Sequence, residues 1–145
     1  MFPEALELVV VTPERQLIRD SVVEVQLPGA EGCLGILPGH APLMTELGIG
    51  ELFYRNANAN RTGSLAVIRG FAEVTAARVT VLAEIAERAE EIDVERARAA
   101  LERARKRLAA PDANIDWDRA AVALQRALIR IQVATKRRGV PVPPE

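Results

Sequence analysis

Glycine and proline are spread so unevenly along this 145-residue chain that they divide it into two structural regimes. Eight of the nine glycines lie before residue 71, and between residues 43 and 140 the only proline is Pro111. Both residue types mark turns and interrupt helices, so the first part must turn often while the second can run in long helices. Between the turns stand short segments rich in valine, isoleucine and leucine, at 6–12, 22–27, 34–37, 52–55, 65–68, 71–75 and 79–85. Val23, Val25 and Leu27 alternate with Glu24 and Gln26, the period of two of a half-buried strand. Short antiparallel strands with frequent turns predict a β-sandwich or flattened barrel over residues 1–86.

From Ala83 onward alanine, arginine and glutamate recur with a period near 3.6, which predicts two helices separated by a break at 109–115 that contains Pro111. Ala97, Leu101, Ala104 and Leu108 form one stripe on the first helix; Trp117, Leu124, Leu128, Ile131 and Thr135 form one on the second, and both stripes are expected to be covered. Asp93 and Asp116 stand where side-chain acceptors would cap the two helix starts. The fold class expected is therefore α+β: an N-terminal β-sandwich, then a C-terminal antiparallel two-helix hairpin over 87–138, then a flexible tail at 139–145. The alanine-rich stripes carry little apolar mass per turn, so the hairpin should be the less stable part.

Composition excludes several classes. Apolar residues at 49% and charged residues at 27% describe a chain able to bury a core rather than a disordered one. The apolar runs fall far short of the ~18 residues that a membrane-spanning helix needs, and Glu4 and Glu7 argue against a secretory leader. One cysteine, Cys33, and one histidine, His40, cannot make a disulfide framework or a zinc cluster, so no metal site is expected. Cys33, between Gly32 and Leu34, reads as a small buried filler. Ser21 and Ser64 are the only serines and no phosphate-cradling glycine loop is present, so no catalytic residue is assigned.

The net charge of −1 conceals two halves of opposite sign. Residues 1–86 hold ten acids against six bases, a balance of −4, and residues 87–145 hold ten acids against thirteen bases, a balance of +3. Residues 119–144 contain six bases and no acid, a surface suited to anions. On the first helix Asp93, Arg96 and Arg103 project at neighbouring angles, since seven residues return to within about 20° of the same direction. Arg126 and Arg130 stand one turn apart on the second. Taken alone, this pattern fits either a solvated basic face or an anion site.

The run Leu27-Pro28-Gly29-Ala30-Glu31-Gly32-Cys33-Leu34-Gly35-Ile36-Leu37-Pro38-Gly39-His40-Ala41-Pro42-Leu43 resembles the signature loop of the epsilon subunits of bacterial rotary ATP synthases. Gly70-Phe71-Ala72-Glu73-Val74, Val79-Thr80-Val81-Leu82-Ala83-Glu84 and Ala86-Glu87-Arg88-Ala89-Glu90-Glu91-Ile92-Asp93 are similar to that subunit's last strands and helix entry. The resemblance implies the same sandwich-then-hairpin fold and a non-catalytic central-stalk subunit that couples the gamma shaft to the c-ring. It places Glu31 and His40 in the loop region facing the rotor partners; Cys33 stands where relatives often carry an acid, which removes one polar contact to the ring.

Members of that family that bind ATP carry Ile/Leu-Asp-x-x-Arg-Ala at the start of the first helix, matched here by Ile92-Asp93-Val94-Glu95-Arg96-Ala97. By that resemblance Glu87, Ile92, Asp93, Arg96, Ala97, Arg103, Arg126 and Arg130 are expected to bind ATP, Glu87 and Asp93 on the base and ribose side and the arginines on the phosphates. ATP would act as a regulatory ligand, with or without Mg, and no cofactor would be required. The hairpin would inhibit ATP hydrolysis when extended toward the catalytic beta and alpha subunits. The expected location is peripheral, on the cytoplasmic face of the bacterial inner membrane. Two alternatives remain open: a purely structural rotor subunit with a vestigial nucleotide site, and an arginine-rich nucleic-acid module. The second is disfavoured by the acidic balance and by 3% aromatic residues.

Overall fold

The computed structural model describes residues 3–58, 61–110 and 114–137. The chain divides into two compact units, residues 1–88 and 89–145. The first holds six strands: β1 (Leu6–Val11), β2 (Gln16–Gly29), β3 (Gly32–Ile36), β4 (Leu43–Asn56), β5 (Thr62–Val74) and β6 (Arg78–Arg88). The second opens with a 3-10 turn (Ala89–Glu91), followed by helices α1 (Val94–Ala109) and α2 (Trp117–Arg137). Part of the expected break between the helices, Pro111 included, and the tail expected at 139–145 lie outside the described residues.

The strand order is β1-β6-β5-β4-β2-β3, and β1 also pairs with β2, so five strands close on themselves while β3 extends one edge as a hairpin. Closure removes the exposed edges that an open sheet of this length would present. Leu6, Leu8 and Val10 are buried in alternation along β1 and join Val25, Leu27, Leu52, Leu65, Val67, Val79 and Val81 in one core. Each such side chain contributes about 1.5–3 kcal/mol when fully buried.

Two features depart from a set of short antiparallel strands. β1 runs parallel to β6, with Leu8 opposite Val79 and Val10 opposite Val81. The strands are also long, up to 14 residues in β2 and β4. Residues 65–68 and 71–75, separate strands by sequence pattern, are halves of β5. The inward-facing positions change phase halfway along three neighbouring strands: Leu47 then Leu52, Val67 then Ala72, Ala83 then Ala86. Pairing register is kept throughout, with Ile68 opposite Ile85 and Gly70 opposite Ala83. The phase change lets one strand serve both layers of a flattened barrel as it turns the corner. Arg69 and Gly70, with φ of 60° and 145°, form that corner in β5. A Cβ on Gly70 would strike the Leu82 carbonyl and lie 2.8 Å from the Ala83 Cα, so only glycine fits.

In the helical unit the caps are as expected. Asp93 Oδ1 accepts from the Arg96 amide at 3.0 Å, and Asp116 Oδ1 accepts from the Arg119 amide at 3.1 Å. On α1 the stripe Ala97, Leu101 and Ala104 is buried and Leu108 is half-buried. On α2 the expected stripe is only partly covered: Leu124, Ile131 and Thr135 are half-buried, while Trp117 is 49% and Leu128 44% exposed. The helix instead buries Ala120, Ala127, Ile129, Val133 and Ala134. Small side chains let helices approach closely, and the bulky stripe that dominates a hydropathy pattern is left at the margin of the contact.

Candidate functional site

Eight positions were expected to form a nucleotide site. Seven belong to the helical unit; Glu87 is the penultimate residue of β6, half-buried and opposite Ala66. Ile92 and Ala97 are buried, so they shape the helical unit rather than offer polar contacts. Asp93 uses one carboxylate oxygen as the α1 cap, which leaves its other oxygen for a ligand. Arg96 and Arg103 are exposed on one side of α1. They differ from Arg98 and Arg105, which pair with Glu95 at 3.1 Å and Glu102 at 3.2 Å. Those i,i+3 pairs draw two of the helix's cations into its own surface network.

Arg126 and Arg130 are placed differently. At 100° per residue, Val133 and Ile129 lie about 20° and 60° to one side of Arg126, and Ala134, Ala127 and Ala120 lie about 80° to 120° to the other. All five are buried, so both arginines project from within the arc that α2 covers, and both are half-buried. The Nε of Arg126 is buried without a hydrogen-bond partner. A buried, unmet donor on a permanent cation costs about 1–3 kcal/mol and is compensated when an anion accepts from it. Guanidinium is suited to accepting anions, since it presents forked donors and stays charged. Among the described residues no cluster of His, Cys, Asp or Glu is arranged to hold a metal ion.

The expected partner-facing loop is built from two turns flanking β3. Gly29-Ala30-Glu31-Gly32 closes the β2–β3 hairpin, with Gly29 opposite Gly32 and the Ala30 amide bound to the Glu46 carbonyl at 2.9 Å. Glu31 is exposed at its tip. Leu37-Pro38-Gly39-His40 forms a second turn: the His40 amide reaches the Leu37 carbonyl at 3.1 Å and Gly39 has φ of 87°, as proline-glycine at the centre of a type II turn requires. The Gly39 amide is fastened to the Ala76 carbonyl at 2.8 Å. His40 Nδ1 lies 2.6 Å from the Ala41 carbonyl, to which it donates. Five residues of β3, about 16 Å of strand, stand between the two turns, so Glu31 and His40 are set well apart.

That surface is apolar as well as polar, with Leu37 and Met44 largely exposed. Cys33 is exposed there too, contrary to its reading as a buried filler. It sits on β3 at the sheet edge, opposite Pro28, where no further strand covers it. Sequence reasoning also missed a second exposed apolar row. Val11, Leu82 and Phe71 stand side by side across β1, β6 and β5, with Leu82 at 54% and Phe71 at 55% exposure. The Arg-Gly pair inside a strand pattern was the available signal, since it marks the corner beyond which the facing of side chains changes.

Known proteins of the same construction divide at the same place. Residues 5–89 match the beta-sandwich domain, and residues 90–135 the long alpha-helix domain, of the ATP synthase delta/epsilon chain. An ATP synthase epsilon chain of Solibacter usitatus (strain Ellin6076) is 50% identical over 135 residues, 93% of this chain and 99% of that one. One from Lawsonia intracellularis (strain PHE/MN1-00) is 47% identical over 132 residues, 91% and 98% of the two chains. In the solved mitochondrial ATP synthase of Euglena gracilis, described as OSCP/F1/c-ring, one chain superposes with a TM-score of 0.78 at 24% identity, covering 95% of this chain and 83% of that one. At that identity the superposition speaks for the fold. Sequence matches across both units and nearly the full length of bacterial relatives lead to one conclusion: the chain belongs to the ATP synthase delta/epsilon family, on its epsilon-chain side.

Proposed function

We propose that this chain is a non-catalytic central-stalk subunit of a proton-translocating ATP synthase and that its helical unit is an ATP-sensitive brake on hydrolysis. The barrel unit carries the structural half of the task. Glu31, His40 and the exposed apolar residues around them meet the c-ring, and the gamma subunit holds the same unit. The complex, and with it this chain, sits peripherally on the cytoplasmic face of the inner membrane. No helix among the described residues is long and apolar enough to cross a membrane.

The regulatory half rests on one observation: the unmet Nε of Arg126 in the covered arc of α2. ATP, with or without Mg, is held by Arg96 and Arg103 from α1 and by Arg126 and Arg130 from α2, with Asp93 and Glu87 on the nucleoside side. Because the four arginines come from two helices, they converge only while those helices are paired. ATP then favours the paired state by RT ln(1 + [ATP]/Kd), about 2.7 kcal/mol at a hundredfold excess over Kd. When ATP is scarce, α2 extends toward the beta and alpha subunits, where its acid-free basic surface meets acidic segments.

A purely structural reading has its own support, since Ile92 and Ala97 are packing residues and Asp93 is a cap, which accounts for three of the eight positions without any ligand. Two measurements separate the readings. Calorimetric titration of the full chain with ATP, repeated on Arg126→Ala, gives binding that the substitution weakens roughly tenfold or more if the site is real, and no heat in either case if it is vestigial. Hydrolysis by the enzyme reconstituted with the full chain, or with one ended after Arg88 where the barrel unit stops, tests the brake. Equal rates at low ATP reject it.

A further inference from the structure

The surface of α1 is segregated by charge. The helix carries only two acids, Glu95 and Glu102, against six bases. At 100° per residue, counted from Arg103, Arg96 lies at about +20°, Arg107 at about +40° and Lys106 at about −60°, so four cations share an arc of about 100°. The two acids fall outside it, at about −80° and −100°, where Arg98 and Arg105 hold them at 3.1 Å and 3.2 Å. The buried residues Ala97, Leu101 and Ala104 occupy a third arc, about 100° to 160° to the other side. Arg96, Arg103, Lys106 and Arg107 are all exposed, and none has a side-chain hydrogen bond or ion pair among the described residues. Within their arc α1 presents one other side chain, the small Ala99.

Helix stability does not account for this alignment. Arg96 stands in the first turn, three residues after the cap Asp93, where the helix dipole disfavours a cation and where glutamate or glutamine would complete a capping box. The dipole does favour Lys106 and Arg107 in the last turn, but Arg103 meets them as a like charge at i+3 and i+4, which is destabilising. The four cations span eleven residues, about 16 Å along the helix axis. Their stripe has neither the large apolar anchors of a protein interface nor the aromatic platform on which bases stack. What it offers is a line of forked guanidinium donors and one ammonium, the donors that suit phosphate oxygens. We infer that Arg96, Arg103, Lys106 and Arg107 form a binding track for inorganic polyphosphate, a linear chain of phosphates longer than the triphosphate of ATP. Arg96 and Arg103 are also the residues that α1 gives to the proposed nucleotide site, so ATP and polyphosphate compete for them. That competition rests on the proposed site; the track does not.

The test titrates the full-length chain by calorimetry with long-chain inorganic polyphosphate, tripolyphosphate and poly-glutamate. Polyphosphate should bind with an affinity that falls as salt rises. Lys106→Gln combined with Arg107→Gln should weaken that binding roughly fivefold or more, the loss expected of two exposed charge pairs. Tripolyphosphate should lose less, because Arg96 and Arg103 can hold a short chain by themselves. Arg98→Gln combined with Arg61→Gln removes the same charge from exposed positions off the track and should change polyphosphate binding by no more than about twofold. Absence of binding, equal losses in the two double variants, or poly-glutamate bound as tightly as polyphosphate would each overturn the track. Equal losses would leave only net charge, and tight poly-glutamate would point to an acidic protein segment instead. ATP titration of the parent keeps the track and the nucleotide site apart. If ATP binds and polyphosphate does not, the track falls and the nucleotide site stands; if polyphosphate binds with the stated variant pattern and ATP does not, the nucleotide site falls and the track stands. Where both bind, polyphosphate affinity undiminished by saturating ATP would overturn the shared use of Arg96 and Arg103.

Discussion

Replacing Arg126 with methionine should make the protein more stable and less able to bind ATP, two opposite effects with a single cause in the enclosed guanidinium. The aliphatic stem of arginine and the methionine side chain occupy similar volume, so packing in the covered arc of α2 is preserved. What disappears is a guanidinium whose Nε is buried and unpartnered. Such a donor is worth about 1–3 kcal/mol when fully enclosed; Arg126 is half-buried, so the gain should be near the lower end, about 1 kcal/mol. For a unit of this size that corresponds to a rise in Tm of about 4–8 °C. Trp117, the only tryptophan and the first residue of α2, makes the melt of the helical unit readable by fluorescence. With ATP the order should close or reverse. Losing a charge-assisted hydrogen bond of about 1.5–3 kcal/mol weakens binding roughly tenfold to a hundredfold. At an ATP concentration a hundredfold above the parent's Kd, the parent gains about 2.7 kcal/mol and the variant only about 0.4–1.4 kcal/mol. A variant that melts below the parent without nucleotide, or that gains as much from ATP, would refute the reasoning.

Gly70→Ala should destabilise the barrel unit by roughly 2 kcal/mol or more in urea unfolding, because the new methyl would enter the Leu82 carbonyl at a φ of 145°; an unchanged midpoint would mean that the strand corner is not constrained. Leu52→Ala, at a fully buried core position, should cost about 2–5 kcal/mol in the same assay. Asp116→Ala removes the acceptor for the Arg119 amide and should cost about 1 kcal/mol, seen as a lower Tm and faster exchange confined to the first turn of α2. An equal loss of protection at Val133 would show that the effect is not a cap.

The change of regime near residue 87, the all-strand character of the first unit and both helix caps were legible in the chain itself, because turn punctuation, side-chain period and capping are local properties carried within a few residues. The spacing of the arginines could also be read from the chain, since it follows from helix pitch, whereas their assignment to a nucleotide came from family resemblance alone. The tertiary structure decided what local pattern cannot contain. Which strand neighbours which is settled by closure of the barrel, and it set β1 parallel to β6. The phase change at Arg69 and Gly70 turned two apparent short strands into one bent strand and brought Phe71 and Leu82 to the outside. On α2, hydropathy favoured the stripe with the greatest apolar mass, whereas close helix packing selected alanines, and this placed Arg126 and Arg130 in a covered arc. Cys33 is exposed because β3 ends the sheet. Burial is a property of what lies opposite a residue, and Val10 opposite Val81, 71 positions away, is the clearest case: no window on the sequence contains both.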